Sequence, residues 1–189
     1  MSSKSFRWAL LAAFVLQTAL LAWMIADRAL LLLHGREVRL QVVPVDPRDL
    51  FRGDYVTLAY PMSRLRTDEV DGDDDFRFQE PIYVTLREGA DGWQAMAIGH
   101  AAPADGVFLK GIVDDSYSGE NCKVATSCQE VRVNYNLEQF FIPEGEGREL
   151  ETLRNDQRIS VDVAVADSGR AALKRLLVDG EVRYEESLY

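Results

Sequence analysis

The sequence predicts a mainly β protein: an N-terminal transmembrane helix followed by an antiparallel β-barrel or sandwich-like domain with one short helix. Three observations predict it. A run of nineteen uncharged, mostly apolar residues lies near the N-terminus. Beyond residue 36, short segments of period-two hydrophobicity recur with turn signals between them. Only one stretch in that body has helical spacing. At 189 residues the chain has room for one medium domain plus an anchor, and not for two full catalytic domains.

The apolar run is Trp8 to Ala26, with Gln17 and Thr18 as its polar interruptions. At about 1.5 Å per helical residue it spans roughly 28 Å, close to a hydrocarbon core of about 30 Å. Trp8 and Trp23 lie near its two ends, where indole rings favour the headgroup layer. A cleaved signal peptide is the rival reading; its apolar region is usually about 7 to 15 residues, shorter than this one. The expected organisation is a cytoplasmic segment 1–7, a transmembrane helix 8–26 with a possible extension to 33, and an exported β-domain 36–189. Lys4 and Arg7 precede the run and Arg28, Arg36 and Arg39 follow it, so positive charge alone does not orient the span. Cys122 and Cys128 do. Two cysteines six apart in a polar loop suit a local disulfide, which persists only in an oxidising compartment; two unpaired thiols in a cytosolic loop are the rival reading. The expected topology is therefore N-terminus inside, with the domain exported to an oxidising compartment.

The body then reads as eight or nine strands. Arg36 to Val45 alternates, with Val38, Leu40 and Val42 on one face. Tyr55 to Tyr60 is a second run, stopped by Pro61. Ile82 to Arg87 and Trp93 to Ile98 flank the Gly-containing connection Glu88–Gly92, a hairpin signal. Val107 to Val113 and Val131 to Tyr135 flank the cysteine loop as another hairpin. Arg148 to Gln157 is the helix, with Leu150 and Leu153 on one side. Arg158 to Val165 alternates again, with Ile159, Val161, Val163 and Val165 inward, and turns lead to strands Ala171 to Val178 and Val182 to Tyr184.

Charge excludes one class of partner. The chain has 21 Lys and Arg against 31 Asp and Glu. Lys4 and Arg7 are the only charges before Asp27, so the rest carries 19 basic against 31 acidic groups, a net of −12. Such a body repels phosphate backbones, and no nucleic acid is expected as a partner. A hydrophobic content of 47% argues against a disordered whole. Two cysteines are too few for a four-sulfur zinc site, and His34 and His100 are far apart in sequence, so no metal or cofactor is expected. Asp68 to Asp75 lacks the ligand order of a calcium loop and reads as a solvated loop.

Asp46 to Tyr60 is the most distinctive segment. Pro47 fixes one backbone angle, Gly53 permits a conformation other residues resist, and Asp54 is placed to accept bonds from backbone amides. Gly53-Asp54-Tyr55-x-x-Leu58-x-Tyr60 resembles, letter for letter, the signature of the bacterial GDYXXLXY protein family. The segments from Tyr135 to Gly145 and from Gly169 to Ala172 also resemble that family. The resemblance implies a membrane-anchored bacterial protein, often encoded beside a multi-pass membrane protein. With the topology above, the expected location is the bacterial inner membrane, single-pass, N-terminus inside, with the C-terminal domain in the periplasm. A looser likeness is to the signal-peptidase-like barrel, in which a Pro-x-Leu-x-x-Gly-Asp turn opens a strand; here one extra residue separates Pro47 from Leu50.

A hydrolase on that barrel needs a Ser nucleophile just before Pro47 and a Lys to take its proton. Residues 41–46 contain no Ser, Thr or Cys, and no motif points to the one conceivable pair, Ser63 and Lys110. His100 ends an alternating strand and reads as a packed or surface histidine. The expected function is a membrane-anchored binding or assembly module for a multi-pass membrane partner, seated in the lipid bilayer and without catalysis. The alternative is a degenerate or unconventional hydrolase. The expected binding residues are those of the motif loop: Arg48, Phe51, Arg52, Gly53, Asp54, Tyr55, Leu58 and Tyr60. An aromatic between two arginines is the kind of anchor interfaces favour. The competing reading makes Asp54 a turn cap and Tyr55, Leu58 and Tyr60 packing residues.

Overall fold

The apolar run and its extension to residue 33 lie in one helix, α1, over Ser3–His34. No Pro or Gly interrupts it. Its 32 residues reach about 48 Å, so it outlasts a bilayer core by several turns. The computed structural model describes residues 3–44, 55–89, 92–118, 129–142 and 147–186. Within these, the strands are β1 (Arg36–Gln41), β2 (Tyr55–Thr57), β3 (Arg64–Arg66), β4 (Asp71–Gly72), β5 (Pro81–Gly89) and β6 (Gly92–Gly99). They continue as β7 (Val107–Ser118), β8 (Gln129–Asn134), β9 (Gln139–Phe141), β10 (Ile159–Val165), β11 (Ala171–Val178) and β12 (Glu181–Glu185). A second helix, α2, covers Gly147–Asn155, and a 3-10 turn covers Pro61–Ser63.

Three sheets result: β1-β10-β11-β12, the pair β2-β9, and β3-β8-β7-β5-β6-β4. Among the described residues, only β4 with β6 is a parallel pair. The sheets curl into a half-barrel. Its interior holds the alternating residues the sequence put there: Val38, Leu40 and Val42 from the first segment are fully buried, as are Ile159, Val161 and Val163. They meet Val84, Leu109 and Val131 of the six-stranded sheet in one core.

Strand β10 is buried at all seven positions, on both faces. One face is the core. On the other, Ala164 and Ala172 of β11 receive Leu32 of α1, which is 4% exposed. Beside them Asp162 accepts bonds from Arg39 at 2.8 and 3.2 Å, and Arg175 stands 3.3 Å away. A buried carboxylate needs such partners. The helix is thus docked on the domain as well as joined to it. Asp27 and Arg170 form a two-pronged ion pair at 2.8 and 2.9 Å, and Arg28 approaches Glu186 at 3.8 Å. Gly35 closes the helix because no side chain fits: a Cβ there would lie 2.6 Å from the Leu31 carbonyl oxygen.

The hairpins expected at β5/β6 and β7/β8 are present and antiparallel. Differences lie at the short elements. Tyr55 to Tyr60 is not one strand: β2 ends at Thr57, Ala59 forms a lone bridge to Val43, and Pro61 opens the 3-10 turn. Strands β3, β4 and β9 have no counterpart in the sequence reading. α2 ends two residues before the expected Gln157, whose φ of 57° turns the chain out of the helix while Arg158 N–H caps the Leu153 carbonyl at 3.0 Å. The expected disulfide cysteines, Cys122 and Cys128, lie outside the described residues.

Candidate functional site

The signature segment is held by a seam to a chain stretch about eighty residues away. Strand β2 pairs with β9, matching Tyr55 with Phe141, Val56 with Phe140 and Thr57 with Gln139. The ladder continues as Leu58 N–H donates to the Glu138 carbonyl at 2.8 Å. Two phenols then cross the seam in opposite directions. Tyr60 donates its hydroxyl to the Leu137 carbonyl at 2.7 Å, and Tyr135 donates its hydroxyl to the Met62 carbonyl at 2.7 Å. Both rings are buried. Burial, and then the negative charge of Glu138, push both phenol pKa values well above their ordinary range, so both stay neutral donors.

Glu138 also shapes its own turn. Its carboxylate accepts the backbone N–H groups of Tyr135 at 2.7 Å and Leu137 at 2.8 Å. Asn136, between them, takes a φ of 60°, and its N–H is satisfied by the Asn134 side chain at 2.9 Å. From α2, the buried Arg154 donates to the Thr57 carbonyl at 2.9 Å. On the near side, Val43 N–H donates to the Ala59 carbonyl at 2.9 Å. The residues on both flanks of segment 45–54 are therefore fixed to the same seam.

Of the expected binding residues, Leu58 and Tyr60 are 1% and 2% exposed. Their side chains line the core beneath the signature and offer no surface to a partner, as the packing reading has it. Tyr55 is placed by its backbone in β2. Arg48, Phe51, Arg52, Gly53 and Asp54 lie outside the described residues. Ser63 and Lys110 meet different groups: the Ser63 hydroxyl accepts from Tyr60 N–H at 3.3 Å, while the Lys110 ammonium lies 5.7 Å from the centre of the Tyr83 ring.

One cluster escaped the sequence. His100 is ringed by carboxylates, with Nε2 3.0 Å from Asp75 and Nδ1 3.2 Å from Glu80, while its backbone N–H donates to Asp73 at 2.9 Å. Its ring also stacks on Phe76, centroids 4.6 Å apart. The bond to Asp75, then the charges of Glu80 and Asp73, raise the His100 pKa. The bond from His100 lowers that of Asp75. The acidic stretch is therefore not a plain solvated loop: β4 pairs with β6, and Asp73 and Asp75 just after β4 meet His100. Among the described residues, no group of three or more His, Cys, Asp or Glu is arranged to hold a metal ion.

The GDYXXLXY protein family matches residues 17–176, from within α1 to near the end of β11. The chain belongs to that family. No curated protein and no solved structure matches it. The family match includes the second half of the apolar helix, both sides of the seam and the Arg170 that grips Asp27. The family letters Leu58 and Tyr60 are accordingly core and seam residues. The signal for the seam was present in the sequence as two separate family-like segments, Gly53 to Tyr60 and Tyr135 to Gly145, with nothing local to join them.

Proposed function

We propose that the chain is a membrane-anchored, extracytoplasmic β-domain that binds or assembles with a multi-pass membrane partner through the loop carrying Arg48, Phe51 and Arg52. The observation that carries this reading is the seam. Tyr60, Tyr135 and Glu138 spend their polar groups on internal hydrogen bonds, as a platform does. A reactive group in a catalytic site is instead kept available to substrate. The platform pins the flanks of a loop whose aromatic residue sits between two arginines.

The anchor half of the reading draws on α1, which is long and apolar enough to cross a membrane and runs unbroken onto the domain. Leu32 and Asp27 dock the last turns of the anchor on the domain. Cys122 and Cys128 join as a disulfide on the exported side, closing the end of the β7/β8 hairpin. Photo-crosslinking from position 51 in living cells tests the proposal. The reading predicts one dominant adduct to a multi-pass membrane protein; adducts to soluble cytoplasmic proteins overturn both contact and topology.

A further inference from the structure

Where α1 leaves its apolar run, the domain and helix enclose a groove of about 440 Å³. Its walls include Asp27, Arg28 and Leu31 of the helix, Lys110 and Ile112 of β7, and Arg170. An adjoining depression of about 390 Å³ shares Arg28 and is lined by Phe141, which is 77% exposed. We propose that this groove is a binding site for the headgroup of an anionic phospholipid, with Lys110 as the cation that meets its phosphate. The proposal rests on the anchored reading of α1.

Position supports it. Ala26 ends the uncharged run, and Leu31 lies about 7 Å further along the helix axis. The headgroup layer on each side of the core is about 5–8 Å thick. The groove floor thus falls within that layer. Exposed apolar groups occur at the same height: Leu30 and Leu33 on the free face of the helix are 57% and 59% exposed, and Ile112 is 43% exposed. Apolar side chains at a helix exit suit an interface in which acyl chains begin, and tilt the domain onto the bilayer rather than away from it.

Charge supports it independently. Beyond Ala26 the chain carries a net of −12, which an anionic surface repels as a whole. The groove inverts that sign locally, with three cations against the single carboxylate of Asp27 among its walls. Arg170 is held by Asp27, and Arg28 by Glu186. Lys110 is exposed, and among the described residues no carboxylate pairs with it. A phosphate in the groove gains that ammonium as a partner, with Arg28 and Arg170 as flanking positive charge.

The test uses the full chain, delipidated in a neutral detergent and titrated with phosphatidylglycerol, with bound lipid counted by native mass spectrometry. The expected result is one saturable lipid per chain, weakened at least tenfold by Lys110→Glu and in the same direction by Lys110→Gln. Arg87→Glu, an exposed charge outside the groove, should leave binding unchanged, and millimolar inorganic phosphate should not compete. Equal binding by wild type and Lys110→Glu overturns the site. So does equal weakening by Arg87→Glu, which marks unspecific charge attraction, or full competition by inorganic phosphate, which marks a soluble ligand. Carbonate extraction of membranes reads the anchor separately. Release of the chain overturns the anchor and the site with it, while retention leaves the groove to be judged by the titration.

Discussion

Replacing Tyr60 by Phe removes one oxygen and nothing else, and so isolates the seam. The deleted hydroxyl donates to the carbonyl of Leu137, a residue 1% exposed. A buried acceptor left without a partner costs about 1–3 kcal/mol. Tyr135→Phe strips the Met62 carbonyl, equally buried, and carries the same cost. Either change should lower the melting temperature by about 2–12 °C, taking about 2–4 °C per kcal/mol for a domain of this size. The double variant is the informative one. Both bonds fasten the segment Tyr60–Met62 to the turn Tyr135–Leu137, so loss of the first loosens the geometry of the second. The two costs should therefore fall short of additivity by about 0.5 kcal/mol or more. Urea unfolding of the full chain in detergent, followed by circular dichroism, measures all four corners of the cycle. Two single variants within about 0.3 kcal/mol of wild type would refute the seam as a stabilising device, and strict additivity would refute the coupling.

Gly35→Ala should destabilise the domain by about 1 kcal/mol or more and loosen α1 from β10, because the added methyl meets the Leu31 carbonyl at 2.6 Å and the Ala164 Cβ at 3.0 Å; protease sensitivity around His34 reads the loosening. His100→Gln should cost stability in acid and little in base. The folded His100 pKa is raised, so its contribution is complete below an unfolded value of about 6.5 and fades as pH rises through the folded value. Melting curves across that window check the sign, and a larger deficit at high pH would contradict it. Thiol labelling of unreduced, denatured protein should find neither Cys122 nor Cys128 free; two labelled cysteines would remove the disulfide.

The sequence made the long strands readable because their periodicity is local. Val38, Leu40 and Val42 alternate with polar residues, and so do Ile159, Val161 and Val163, whichever strands they pair with. The apolar helix was equally plain, although its last turns were not: nothing in Leu31 and Leu32 says that they meet Ala164 and Ala172. Strands β3, β4 and β9 are two or three residues each and exist because a distant partner accepts them, Arg64 opposite Arg132, Asp71 beside Ala97, Tyr55 opposite Phe141. The same holds for the chemistry. Asp73 and Asp75 reach His100 through the parallel pairing of β4 with β6, Glu80 reaches it through the antiparallel pairing of β5 with β6, and Tyr60 reaches Leu137 across 77 positions. Within the signature, Leu58 and Tyr60 had two readings, contact and packing, and burial places their side chains in the second.

The central claim is that a loop built on this seam holds a membrane partner. Copurification of the full chain from solubilised membranes, with the bound proteins quantified by mass spectrometry, tests it most directly when wild type is compared with a variant carrying Arg48→Ala, Phe51→Ala and Arg52→Ala. The account predicts a multi-pass membrane protein retained in near-stoichiometric amount by wild type, and lost at least tenfold by the triple variant at an unchanged melting temperature. Full retention of that protein by a stably folded triple variant would contradict the account.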